Sequence, residues 1–348
     1  MSLPGSTAGQ RVSDAGERAL IERIRRRVPA ADSALLVGIG DDAAVASPDR
    51  GALQVLTTDA LVEGVHFDRR FSTPADIGYK ALAVNVSDVA SMGGRSRFAL
   101  LSLMLPAETT IAEVDGLLDG LLDLAAQTRI SLAGGNITRS PGPLVVDVTL
   151  VGSVRPRKVL RRSGGKAGDI LYVTGHIGAA AAGLDWLRHE SARTTGEHPR
   201  PSDESLAECV TRHCRPEPRA RVGSILGRTK AASACMDLSD GLADAVAGLA
   251  AASGTGARID SDLLPVHPGA REWFACRGTD PISASVSGGD DYELLFAVPS
   301  RKRSRLRGVI REARGLTFTR VGELTSGGSV DLVRNGRLEP LPSGFVHF

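Results

Sequence analysis

Five short acidic stretches carry the chemistry this chain could perform: Asp41 and Asp42; Thr57, Thr58 and Asp59; Asn85 and Asp88; Asp237 and Asp240; and Asp290, Asp291 and Glu293. Each lies beside Gly, Ser or Thr at the end of an apolar run, and the i, i+3 spacing puts Asn85 and Asp88 on one helix face. One exposed acid is ordinarily a solvated cap. Several such loops without matching Lys or Arg repel one another, and divalent cations relieve that repulsion. The D-x-D-x-D-G loop of a calcium site is absent, whereas magnesium takes a few carboxylates and leaves room for water and phosphate oxygens. Alone, His66 reads as a satisfied structural histidine.

Other motifs lead elsewhere. Gly38-Ile-Gly40-Asp-Asp-Ala43 fits a dinucleotide pattern, but it places two carboxylates where a pyrophosphate would sit and is followed by a strand. Thr174-Gly-His-Ile-Gly178 reads as a tight strand-to-helix turn. Lys166, after Gly164 and Gly165, is followed by Ala167, so there is no Walker A loop. Cys209, His213 and Cys214 have no structural-zinc spacing. The four cysteines form no CxxC pair, which suits reduced thiols in a cytoplasmic protein.

Elements that position these loops follow from periodicity and caps. A helix is expected from Ser13 to before Pro29, then strands over Ala34–Ile39 and Leu53–Leu56 that deliver carboxylates to one edge. Thr73 and Pro74 start a helix to about Met92, and Thr110 with Glu113 make a capping box for another through Gln127. Strands over Ser96–Leu105, Ile130–Ala133 and Leu144–Val154 complete an α/β or α+β first domain. The second brings strands at Ile170–Val173, before Asp237 and at Leu294–Val298, with a helix over Leu242–Ser253.

The 348 residues suit two domains, 13–154 and 155–348, after a Gly- and Ser-rich tail at 1–12 expected to be disordered. Residues 189–204 read as a polar surface insertion. A net charge of +2 suggests neither nucleic-acid nor membrane-surface binding, and no apolar run approaches a bilayer span. Asn85-Val-Ser-Asp88 echoes Asp237-Leu-Ser-Asp240.

Taken in order, these pieces resemble the thiamine-monophosphate kinase family, within the superfamily of aminoimidazole ribonucleotide and selenophosphate synthetases. They are Gly38-Ile-Gly-Asp-Asp-Ala-Ala-Val45, Thr57-Thr-Asp-Ala-Leu-Val-Glu-Gly-Val-His-Phe67, Lys80-Ala-Leu-Ala-Val-Asn-Val-Ser-Asp88 with Met92-Gly93, Arg162-Ser-Gly164, Asp237-Leu-Ser-Asp-Gly-Leu242 and Gly288-Gly-Asp-Asp-Tyr-Glu-Leu-Leu295. The resemblance implies ATP-dependent phosphorylation of thiamine monophosphate on a homodimer whose N-terminal α/β domains join into a β-barrel. It implies several Mg2+ ions at Asp42, Thr57, Thr58, Asp59, Asp88, Asp237 and Asp240, with Asn136 where many members carry Asp. ATP contacts fall on Gly135, Asn136, Arg162 and Ser239, and acceptor contacts on His66, Asp290 and Phe345. Many members carry Glu at the place of Asp290. No general base is expected. Two alternatives stay open: another ATP-using synthetase of this superfamily, although no cysteine precedes Cys209 as a selenide enzyme would require, and a noncatalytic metal-binding domain.

Overall fold

The structure, a computed structural model, describes residues 9–29, 32–193, 200–342 and 344. The chain divides into two compact units, Met1–Val86 with Ser96–Ser153, and Ser87–Arg95 with Val154–Phe348.

The first unit runs α1 (Val12–Ala15), α2 (Glu17–Arg27), β1 (Leu35–Val37), β2 (Val45–Ala46), β3 (Leu53–Val62), α3 (Pro74–Ser91, assigned to the second unit from Ser87 on), β4 (Arg95–Leu105), α4 (Ile111–Thr128), β5 (Ser131–Arg139) and β6 (Val145–Val154). The expected first helix is broken at Gly16, whose φ of 79° interrupts the helical backbone. Gln10 and Val12 are bonded to Ile111 and Thr109, so the end of the tail expected to be disordered is tied down by backbone pairing. Both halves of the Thr110–Glu113 capping box form at the head of α4. Glycines bring α3 and α4 together backbone to backbone: a Cβ on Gly78 would lie 1.8 Å from the Leu117 carbonyl oxygen, and one on Gly120 would lie 1.7 Å from that of Ala75.

The sheet of this unit is open, ordered β3-β6-β4-β5. Strict alternation along β6 buries Val146, Val148 and Leu150 on one face. β5 runs past Gly134 and Gly135, beyond the end expected at Ala133. It continues because a one-residue bulge at Ala133 resets its parallel pairing with β4, giving Leu101 opposite Gly135 and Ser102 opposite Asn136.

The second unit holds β7 (Ile170–Thr174), α5 (Ala179–Ser191), α6 (Glu204–Cys214), α7 (Ala220–Thr229), β8 (Ala234–Asp237), α8 (Leu242–Ser253), β9 (Gly256–Asp260), α9 (Pro268–Cys276), α10 (Pro281–Ser287), β10 (Leu294–Val298), α11 (Arg303–Glu312), β11 (Phe318–Thr325), β12 (Val330–Arg334) and β13 (Arg337–Pro340). Its seven strands are ordered β13-β12-β9-β11-β7-β10-β8, antiparallel except for β9 with β12. β10 is buried at every residue because both faces are covered. Leu295 and Ala297 pack with α5, α8, α9 and α10, whereas Leu294, Phe296 and Val298 pack with α7 and α11. The segment read as an insertion begins inside α5, where His189 meets the Trp273 ring; residues 194–199 lie outside the described residues.

Candidate active site

In the second unit β8 and β10 are adjacent and antiparallel, so the end of one and the start of the other meet at one sheet edge. The loop after Asp237 and the loop before Leu294 then bond to each other. Asp290 N–H donates to Ser239 O at 2.7 Å, Tyr292 N–H to Leu238 O at 3.0 Å, and Leu238 N–H to Glu293 O at 2.8 Å. Glycines permit the approach: a Cβ on Gly241 or Gly289 would lie 2.6 Å from the carbonyl oxygen of Gly288 or Ser239, respectively. Asp290 and Tyr292 are held at φ 69° and 48°, a left-handed backbone that costs free energy in a non-glycine residue.

Three acids of the Gly288 motif do different work. Asp291 is buried and accepts from Gly178 N–H at 2.7 Å and Ala180 N–H at 3.2 Å, holding the start of α5. Burial pushes its carboxyl up to about 8, against the pull of those two amides. Glu293 is also buried and is clamped by Arg219, whose Nε donates at 2.6 Å, and by the Thr174 hydroxyl. This corrects the reading of Glu293 as an acid without a matching base: its partner lies 74 residues away in sequence. Of the three, Asp290 alone keeps an accessible carboxylate; Tyr292 Oη donates to Oδ1 at 3.3 Å, and buried His213 Nδ1 lies 3.5 Å from Oδ2, at ion-pair distance but outside hydrogen-bond geometry.

Asp237 is 2% exposed, and Ser87 Oγ donates to its Oδ2 at 2.7 Å. Burial, and then the nearby charge of Asp88, push its carboxyl up to about 6, opposed by the Ser87 bond and Arg162. Asp88 sits in the last turn of α3, which carries no basic residue, where the helix dipole disfavours an anion. Two neighbouring carboxylates fit a cation that retains water and phosphate ligands. Among the described residues no three His, Cys, Asp or Glu side chains gather closely enough to hold an ion by themselves. Arg162 is exposed, Ser239 and Asp240 are half-buried in the loop after β8, and Phe345 lies outside the described residues.

In the first unit, pleating puts Thr57 and Asp59 on one face of β3 and Thr58 on the other. The Thr58 hydroxyl bonds Asp147 and Thr149 at 3.0 Å, so toward the Asp59 face Thr58 can offer its backbone only. Asp42 is exposed and donates its N–H to the Asp41 carboxylate. His66 Nδ1 accepts from Val62 N–H at 3.0 Å, which leaves its proton on Nε2, while buried Lys80 donates to His66 O at 3.2 Å. Gly135 meets a steric need, because a Cβ there would lie 1.8 Å from Leu101 O; Asn136 beside it is exposed. Ser87, His213, Arg219 and Tyr292 were not singled out as site residues by their sequence context. Ser87 and Tyr292 stood inside motifs quoted for their aspartates, and His213 in a cysteine grouping set aside as a zinc site, whereas Arg219 lay in no motif.

Residues 40–154 match the AIR synthase related protein N-terminal domain, and residues 166–335 match the C-terminal domain, so the chain belongs to the AIR synthase related family. Within it the branch is that of the thiamine-monophosphate kinases. The Salmonella typhimurium thiamine-monophosphate kinase is 37% identical over 96% of this chain and 98% of its own length. The crystal structure of the Stenotrophomonas maltophilia thiamine-monophosphate kinase superposes with TM-score 0.81 at 34% identity, covering 97% of this chain and 99% of that one. A solved structure of AaThiL complexed with AMPPCP and TMP has TM-score 0.75 and 31% identity over 97% of this chain and 99% of that one.

Proposed function

We propose that this protein transfers the γ-phosphoryl group of ATP to thiamine monophosphate, giving thiamine diphosphate and ADP, in thiamine diphosphate biosynthesis. The observation that carries the reading is the interlocked pair of loops at the β8–β10 edge, which sets Asp237, Ser239, Asp240 and Asp290 in fixed backbone positions beside Asp88. The relatives named thiamine-monophosphate kinase, and the AaThiL complex with an ATP analogue and TMP, support the substrates.

Asp42, Asp59, Asp88, Asp237 and Asp240, with Thr57, backbone Thr58 and Asn136, would hold Mg2+, which supplies charge neutralisation between the phosphates. Arg162, Gly135, Asn136 and Ser239 contact the nucleotide. His66, through Nε2–H, and Asp290 orient the acceptor, with Phe345 as a further acceptor contact. The acceptor is a phosphate monoester whose second pKa is near ~6, so no side chain has to remove a proton. The barrier is charge: one unit pair at ~4 Å and effective dielectric ~20 costs about 4 kcal/mol, and two dianions face several such pairs. An arrangement rich in aspartate and lacking a base fits direct in-line transfer.

Two copies pair through the open face of the β3-β6-β4-β5 sheet and complete a barrel in the homodimer. Leu56 at 66% and Leu100 at 37% exposure support this, because a lone chain would leave them in water. No described helix is long and apolar enough to cross a membrane, in keeping with a cytoplasmic enzyme. The test is product analysis after incubation with ATP, with magnesium or EDTA, and a panel of phosphorylated acceptors. Magnesium-dependent thiamine diphosphate supports the reading; ATP turnover with another acceptor only would replace it.

A further inference from the structure

The loop that carries Asp290 is fixed on both sides of it. Its own N–H is bonded to Ser239 O, and the next residue, Asp291, is drawn the other way to cap α5. With φ at 69° the Cα–Cβ direction of Asp290 is set, and only its short side chain remains to be aimed. Tyr292 Oη reaches Oδ1 at 3.3 Å, and Nδ1 of His213 lies 3.5 Å from Oδ2. His213 is 2% exposed and stands in the last turn of α6. That helix is packed along α5 and α9, so the ring has little room to turn away.

We propose that His213 is a positioning residue for acceptor recognition, holding the Asp290 carboxylate in the orientation that meets the acceptor. This rests on the assignment of Asp290 to the acceptor side. His213 touches neither substrate. It acts by packing the Nδ1 edge of its buried ring against Oδ2, so that Asp290 meets a donor group of the acceptor in one orientation.

The test compares His213→Asn, which keeps an amide donor near the place of Nδ1, with His213→Gln, which moves the donor to the place of Nε2, alongside Asp290→Asn and the double variant Asp290→Asn/His213→Gln. KM for thiamine monophosphate, KM for MgATP, kcat and Tm are measured for each. His213→Gln is expected to raise the acceptor KM about fivefold, because the polar ring edge that stands against Oδ2 is moved away. It should leave KM for MgATP within about twofold, since uniform binding is lost on the acceptor side alone. His213→Asn should restore most of the difference, and the double variant should be no worse than Asp290→Asn. An unchanged acceptor KM in His213→Gln, while Asp290→Asn raises it, overturns the proposal but spares the role of Asp290. Equal rises in both KM values without rescue by Asn overturn it in favour of a folding role. An unchanged acceptor KM in Asp290→Asn removes Asp290 from the acceptor side and this proposal with it.

Discussion

The Ser87 hydroxyl donates to Asp237 Oδ2 at 2.7 Å, joining the end of α3 to the end of β8 inside the second unit. The buried carboxylate it steadies sits beside the charge of Asp88. Asp237→Asn can keep the Ser87 bond through its amide oxygen while removing the charge. Without ligands its Tm should equal or exceed the wild-type value, because an unfavourable buried charge is gone. Turnover should fall by about 10²-fold or more, since the lost charge acts mainly in the transition state. Calorimetry and steady-state rates check both halves; wild-type turnover would remove Asp237 from the metal shell.

Glu293→Gln should behave in the opposite way. It leaves the Arg219 guanidinium buried without its main countercharge, and breaking such a pair costs about 3–5 kcal/mol. Denaturant unfolding should show that loss, and an unchanged midpoint would mean that Glu293 does not hold this edge.

Gly135 and Asn136 separate structure from chemistry within two residues. Gly135→Ala drives a methyl into the Leu101 carbonyl and should cost about 2 kcal/mol or more. Asn136→Asp should leave Tm close to the wild-type value and lower the magnesium concentration needed for half-maximal rate, because a charge is added at an exposed cation contact. A magnesium titration that does not move would place Asn136 outside the metal shell.

Acid stability has a specific contributor in the first unit. Arg23 holds Asp115 below the ordinary carboxylate range, chiefly through their hydrogen bond. A lowered native pKa adds stability that is complete above the unfolded value near ~3.9 and is lost as pH falls through the native value. Asp115→Asn should therefore cost about 1 kcal/mol or less at neutral pH and flatten the loss of stability below about pH 4. Coincident acid-unfolding curves would show that the pair contributes nothing.

What the sequence disclosed is local. Thr110 with Glu113, and Thr73 with Pro74, marked helix starts because caps act over three or four residues, and the apolar runs at Ile170 and Leu294 marked strands buried on both faces. The strands β9, β11, β12 and β13 escaped because short segments such as Gly256–Asp260 gain their stability from neighbours distant in sequence. In the site, aspartates beside Gly and Ser were visible as candidates. Which of Asp290, Asp291 and Glu293 would remain accessible depended on Arg219 and the amides of Gly178 and Ala180, and no motif spacing encodes those meetings.

The most direct measurement of the central claim is the rate of phosphoryl transfer from ATP, with magnesium, to thiamine monophosphate and to free thiamine under the same conditions. Screening of phosphate against phosphate without a general base predicts thiamine diphosphate from the monophosphate. With free thiamine, whose hydroxyl would need a base and lies one phosphate farther from the γ-phosphoryl group, kcat should be at least about 10²-fold lower. Phosphorylation of free thiamine as fast as that of the monophosphate would contradict the account.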